Sequence, residues 1–133
     1  MIVLDASALL TLIKQEPGWD VVATAAAGED ATVSSVNYSE TLQKAARLGV
    51  QPELVDSHLD ALGVTVSQFG RLDARLAASF YRHGSTLSLG DRACLALARN
   101  LSSPAYTADR EWLNWASQLA VEVRVIRGAA TSR

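Results

Sequence analysis

The sequence predicts an α/β fold, a three-layer sandwich in which helices cover both faces of a central parallel five-stranded sheet. Two observations lead there. Short apolar runs alternate along the chain with stretches of helical periodicity, and Pro or Gly marks several of the junctions between them. Strands separated by helices pair in parallel through crossover connections. With 133 residues, 49% hydrophobic and 20% charged, the chain is expected to form one domain over 1–133 with an ordinary buried core.

The elements follow in order. Ile2-Val3-Leu4 reads as a short buried strand, followed by a helix on which Leu9, Leu12 and Ile13 share a face, until Pro17-Gly18 ends it. An alanine-rich helix over 19–27 leads through Gly28 to a strand at 31–34. Tyr38, Leu42, Ala45 and Ala46 repeat at helical spacing up to Gly49, a C-terminal cap. Pro52 opens another helix that ends near Gly63, before the strand Val64-Thr65-Val66. Leu72, Leu76, Ser79 and Phe80 mark a helix between Gly70 and Arg82. A further helix opens near Asp91, with Ala93, Cys94, Leu97, Ala98 and Leu101 inward and Arg92, Arg99 and Asn100 outward. Ala105-Tyr106-Thr107 is the fourth strand, 110–118 a short helix, and 121–125 a fifth strand whose strict alternation suits a sheet edge. The tail 128–133 is expected to fray.

Composition narrows the function. The lone Cys94 excludes an internal disulfide and a cysteine-built zinc site, and points to a reducing cytoplasm. Met1 runs directly into the first strand with no basic residue ahead, so the N-terminus does not read as a leader, and no apolar run is long enough to span a membrane. Net charge is −2, which would argue against a nucleic-acid ligand. Yet ten of the twelve basic residues are arginines, the side chain suited to bidentate phosphate contacts, so the sign of the total decides nothing.

Ligands of parallel sheets bind beyond the carboxyl ends of the strands, where strand order reverses. Asp5 follows the first strand and Asp109 the fourth, while Glu40 and Asp91 fall in the opening turns of two helices, so all four acids point to one rim. Each also has an ordinary structural reading. Asn37-Tyr38-Ser39-Glu40 and Ser88-Leu89-Gly90-Asp91 resemble capping boxes, Asp109 can cap the helix containing Trp112, and Asp5 can lie in a turn with Ser7 as cap. Their convergence is harder to explain that way, because four carboxylates in one crevice raise one another's pKa unless a cation neutralises them. Carboxylate oxygens without histidine or thiolate select Mg²⁺ or Mn²⁺. One or two such ions suit phosphodiester hydrolysis, activating water for in-line attack and neutralising the departing oxyanion.

The residues Val3-Leu4-Asp5-Ala6-Ser7-Ala8-Leu9-Leu10, Ser39-Glu40, Leu89-Gly90-Asp91-Arg92-Ala93-Cys94-Leu95-Ala96 and Thr107-Ala108-Asp109-Arg110-Glu111-Trp112 resemble the four ordered motifs of PIN-domain ribonucleases, especially VapC-type toxins. The resemblance implies a PIN-like fold and a toxin of a type II toxin–antitoxin system. It implies that Asp5, Glu40, Asp91 and Asp109 are catalytic and hold Mg²⁺ or Mn²⁺ to cut single-stranded RNA, and that the partners are a small antitoxin and a second copy of the chain. Residues 50–88 match no motif, so substrate preference is not carried over. Glu111 stands where many members have aspartate.

Other residues take lesser parts. Ser7 can hydrogen-bond Asp5 or a metal water, or cap the first helix. Lys44, Arg92 and Arg110 adjoin the acids and can hold phosphate, although Lys44 can equally pair with Glu40 one helical turn away. Trp112 and Trp115 fit core or dimer packing better than base stacking. Cys94, on an apolar helix face, reads as a small buried hydrophobe rather than a nucleophile. Leu9, Leu10, Leu12 and Ile13 spread apolar surface over more than one stripe, so a dimer or antitoxin contact is expected there and around Val21 and Val22. Two other functions compete. A receiver-like Mg²⁺-binding signalling domain would have a lysine after its final strand, and this chain has none beyond Lys44. A non-catalytic interaction module would leave the acids dispersed or without metal.

Overall fold

In the computed structural model, which describes residues 1–127, the apolar run at the start of the chain becomes β1 (Ile2–Leu4), the middle strand of a five-stranded sheet. The strand order is β3-β2-β1-β4-β5 and every pairing is parallel. β2 spans Ala31–Ser34, β3 Val64–Ser67, β4 Ala105–Thr107 and β5 Val123–Val125. Chain order reverses at β1, which pairs with β2 on one side and β4 on the other, so a crevice opens at the carboxyl ends of β1 and β4.

The period of two along β1 builds two cores. Ile2 and Leu4 pack with Leu9 of α1 (Ala6–Lys14), Val22 of α2 (Trp19–Gly28), Ala45 of α3 (Ser35–Arg47) and Val55 of α4 (Pro52–Leu62). Val3 faces the opposite way, onto Ala77 of α5 (Arg71–Ser79) and its C-cap Phe80, Leu95 of α6 (Leu89–Asn100), Trp112, and Leu119 of α7 (Ala116–Leu119). The result is the expected three-layer α/β sandwich. Gly49 and Gly63 take left-handed conformations just past α3 and α4, and Pro52 opens α4, as the turn chemistry predicted. No helix among the described residues is long and apolar enough to cross a membrane.

Several expectations are corrected. Both Leu10 and Val22 are buried in the chain's own core, because α1 lies between the sheet, α2 and α3 and needs apolar residues on more than one stripe. They offer no surface to a partner; on this face the exposed apolar side chains are Trp19 and Val21. On α5 the buried positions are Ala77 and Phe80, whereas Leu72 and Ser79 face solvent, and Ala46 and Leu101 are exposed on their helices too. The segment 110–118 is not one helix: a 3-10 helix (Arg110–Asn114) gives way at Trp115 to α7. β5 does lie at the sheet edge but starts at Val123, after a buried Val121. The expected fraying of 128–133 lies outside the described residues.

Candidate metal centre

Asp5 enters the crevice directly from β1 and is 5% exposed. It is the N-cap of α1, and it satisfies both carboxylate oxygens locally. Oδ1 accepts from the Ala8 amide at 2.8 Å and from Ser7 Oγ at 2.7 Å, and Oδ2 accepts from Thr107 Oγ1 at 2.7 Å. Ser7 Oγ in turn accepts from the Ala108 amide at 2.9 Å, and Thr107 Oγ1 from the Asp109 amide at 3.0 Å. A polar network thus ties the ends of β1 and β4 together beneath the rim. Ser7 is therefore not the cap; it orients the residue that is.

Asp109 follows β4, is exposed, and caps the 3-10 helix through the Glu111 amide at 2.9 Å. Asp91 sits at the third position of α6 in a reciprocal capping box with Ser88: the Asp91 amide donates to Ser88 Oγ at 3.1 Å and the Ser88 amide to Asp91 Oδ2 at 3.0 Å. The other expected box is absent. Ser34, the last residue of β2, caps α3 itself through the Val36 amide at 3.2 Å, so α3 starts with no loop and Glu40 lies in its second turn. Asn37 instead bridges elements, its Nδ2 donating to Glu40 Oε1 at 2.9 Å and to the Gly90 carbonyl at 3.0 Å.

The acids feel one another. Burial lifts the Asp5 carboxyl from 3.8 to about 6, against the lowering effect of its hydrogen bonds, and the charge of Asp91 adds to the rise. Asp91 is raised mainly by burial as well, with Asp109 and Glu40 contributing repulsion. Asp91 is thus the acid that senses both Glu40 and Asp109, and its charge reaches Asp5. The four side chains are nevertheless spread: among the described residues no three His, Cys, Asp or Glu groups are gathered to hold an ion as they stand. In kind, the donors suit a hard divalent cation, being carboxylate oxygens throughout.

The surrounding cations divide. Lys44 makes no ion pair with Glu40; it lines a shallow cavity that shares Ser7 and Ala108 with the polar network. Arg92 is half-buried, stacked over Tyr81 and donating to the Ala77 carbonyl at 3.1 Å. Arg110 is exposed and turns toward the Arg127 carbonyl, 3.5 Å away. Trp112 and Cys94 are fully buried and Trp115 partly so, which fits packing. Thr107, Asn37 and Gly90 stand in the sequence patterns only as motif or capping-box residues, and their parts here are different: Thr107 holds Asp5, Asn37 bridges Glu40 to α6, and Gly90 leaves room for the Glu40 carboxylate.

The chain superposes on a toxin–antitoxin complex from Klebsiella pneumoniae with a TM-score of 0.73 at 15% identity, covering 96% of this chain and 98% of that one. VapBC2 from Rickettsia felis bound to a DNA fragment from its promoter gives 0.69 at 15%, covering 94% and 98%. FitAcB from Neisseria gonorrhoeae gives 0.66 at 19%, covering 95% and 98%. At such identities the likeness is one of fold. No match is found among curated protein sequences. The sequence does match the PIN domain family over residues 2–117, a span that contains four of the five strands and all four acids, and on that match the chain belongs to the PIN domain family.

Proposed function

We propose that this protein is the toxin of a type II toxin–antitoxin pair, an endoribonuclease that cuts single-stranded RNA with Mg²⁺ or Mn²⁺ held by Asp5, Glu40, Asp91 and Asp109. The observation that carries the reading is the buried Asp5 at the carboxyl end of β1, where strand order reverses, held by Ser7 and Thr107 beside the rim on which Glu40, Asp91 and Asp109 lie. Membership of the PIN domain family supports nuclease chemistry, and the toxin–antitoxin complexes among the similar structures support an antitoxin as partner. A second copy of the chain is the other partner in this reading, and a reducing cytoplasm, where the single thiol stays free, is its compartment.

When bound, a divalent ion supplies charge to activate water and to stabilise the departing oxygen. The chain's own residues do the rest. Ser7 and Thr107 hold the Asp5 carboxylate in one orientation, so that one ligand is positioned in advance. Asn37 keeps Glu40 at the start of α6, beside Asp91. Lys44, Arg92 and Arg110 are the candidates for holding substrate phosphates, with Lys44 the one facing open space beside the network.

The test is cleavage of single-stranded RNA by the purified protein in Mg²⁺ or Mn²⁺. EDTA should abolish it, and Asp5→Asn and Asp109→Asn should each reduce it to background. Cleavage by Asp5→Asn at the parent's rate overturns the four-carboxylate reading, and a parent that cuts no RNA leaves the signalling or interaction module in its place.

A further inference from the structure

The cavity beside the acids, about 160 Å³ in volume, lies between α1 and α3 and carries a charge balance opposite to that of the centre it adjoins. Lys14, Lys44 and Arg127 line it, with Glu16 as its one acid, and Ser7 and Ala108 form the wall shared with the Asp5 network. Glu16 occupies the middle of this arrangement. Its carboxylate pairs with Lys14 Nζ at 3.2 Å through one oxygen and with Arg127 Nη2 at 3.2 Å through the other.

The geometry points to this cavity as a seat for one phosphate of the RNA strand, next to the phosphate being cut, with Glu16 filling the seat until RNA displaces it. The inference rests on the nuclease reading above and adds where the strand runs: over the α1–α3 side of Asp5. Three physical points carry it. The Glu16 pairs join side chains that are all about a third or more exposed, and solvent-screened ion pairs of that kind hold weakly, so an incoming anion can displace the carboxylate. Arg127 stays in place when Glu16 leaves, because its Nε also donates to the Pro17 carbonyl at 2.8 Å and its Nη2 to Thr11 Oγ1 at 2.7 Å. Lys44 has no carboxylate partner among the described residues, so its charge is already available.

The occupant is a phosphodiester because the seat is small, basic and continuous with the acid rim. Ser7 Oγ belongs to the cavity wall and also donates to Asp5 Oδ1, so a strand resting in the seat passes directly over the metal centre. An anion held here therefore belongs to the same ligand that the acids act on.

Glu16→Gln and Lys44→Gln in the full-length protein test this with effects of opposite sign. Binding of a short fluorescent single-stranded RNA in EDTA is measured by anisotropy across a salt series, and cleavage kinetics in Mg²⁺ run alongside. Glu16→Gln should tighten binding and lower KM several-fold, whereas Lys44→Gln should weaken binding, raise KM and make the salt slope shallower by about 0.7. Glu16→Gln should keep the parent's kcat, and unchanged melting temperatures in both variants show that the fold is intact. Unchanged binding and KM in both variants, with cleavage intact, overturns the phosphate seat and leaves the nuclease reading standing. A parent that cuts no RNA sinks the nuclease reading, while the binding arm still decides the seat. Should Glu16→Gln tighten an oligoglutamate peptide of equal charge and leave RNA binding unchanged, the cavity is a protein-docking site and the proposal is wrong.

Discussion

Gly90 and Glu40 share a space that admits no side chain at residue 90: a Cβ there would lie 2.7 Å from Glu40 Cδ and 2.9 Å from Oε2. The first turn of α6 and the carboxylate of α3 come together only because the helix carries glycine at that point. Gly90→Ala should therefore push Glu40 aside rather than unfold the protein, since the atoms it meets are the far end of a flexible side chain. A misplacement of about 1 Å at a catalytic group can cost on the order of a hundredfold in rate. Cleavage should fall on that scale with little change in melting temperature, and a variant as active as the parent would show that Glu40 is not needed where it stands.

Asp5 should make stability depend on pH in a direction unusual for an acid. Between about pH 4 and 6 the native state keeps a proton that the unfolded chain has lost, so stability falls as pH rises through that window. Above it the penalty is complete, and a rise from 3.8 to about 6 corresponds to about 3 kcal/mol. Asp5→Asn removes the charge and keeps the shape, so in EDTA it should be more stable than the parent at pH 7.5 and much less so at pH 4. Urea denaturation at the two pH values reads this difference, and an equal difference at both would refute the assignment.

The capping box at the start of α6 allows structural and metal roles of Asp91 to be separated. Ser88→Ala removes half of the box and should cost about 1 kcal/mol of stability while leaving intact the rise in melting temperature on adding Mg²⁺. Asp91→Asn should lose most of that rise as well. Equal Mg²⁺ responses in the two variants would reduce Asp91 to a helix cap.

Cys94 should be silent in the native protein. Burial first, and then the charges of Asp5, Asp91 and Glu40, push its thiol well above the ordinary cysteine value. A thiol reagent should label it only after denaturation, and rapid labelling of the folded protein would contradict the packing.

The sequence made the fold legible because its strands are short, apolar and separated by helices, so type and order of the elements could be read without knowing contacts. Asp5 and Asp109 were legible for the same reason: each follows a recognisable strand. Glu40 lies a turn deeper in its helix than the sequence suggests, because Ser34 ends β2 and caps α3 in a single residue and no loop marks the boundary. Leu10 and Val22 were misassigned to a partner because periodicity shows that a face is apolar, not which neighbour covers it. Thr107, Asn37 and Gly90 act through contacts between distant segments, and neither propensity nor spacing records such contacts.

The bond from Thr107 to Asp5 closes over 102 residues and joins the first strand of the chain to its fourth. Parallel pairings of such separation form slowly, since a long loop must be ordered before the contact repays it. On the ribosome, β1 can find β2 early but must wait for β4 until most of the chain has been made. A chain that stops short of β4 therefore has Asp5 without its Thr107 partner and without Asp109, so the acid rim is assembled only late in synthesis.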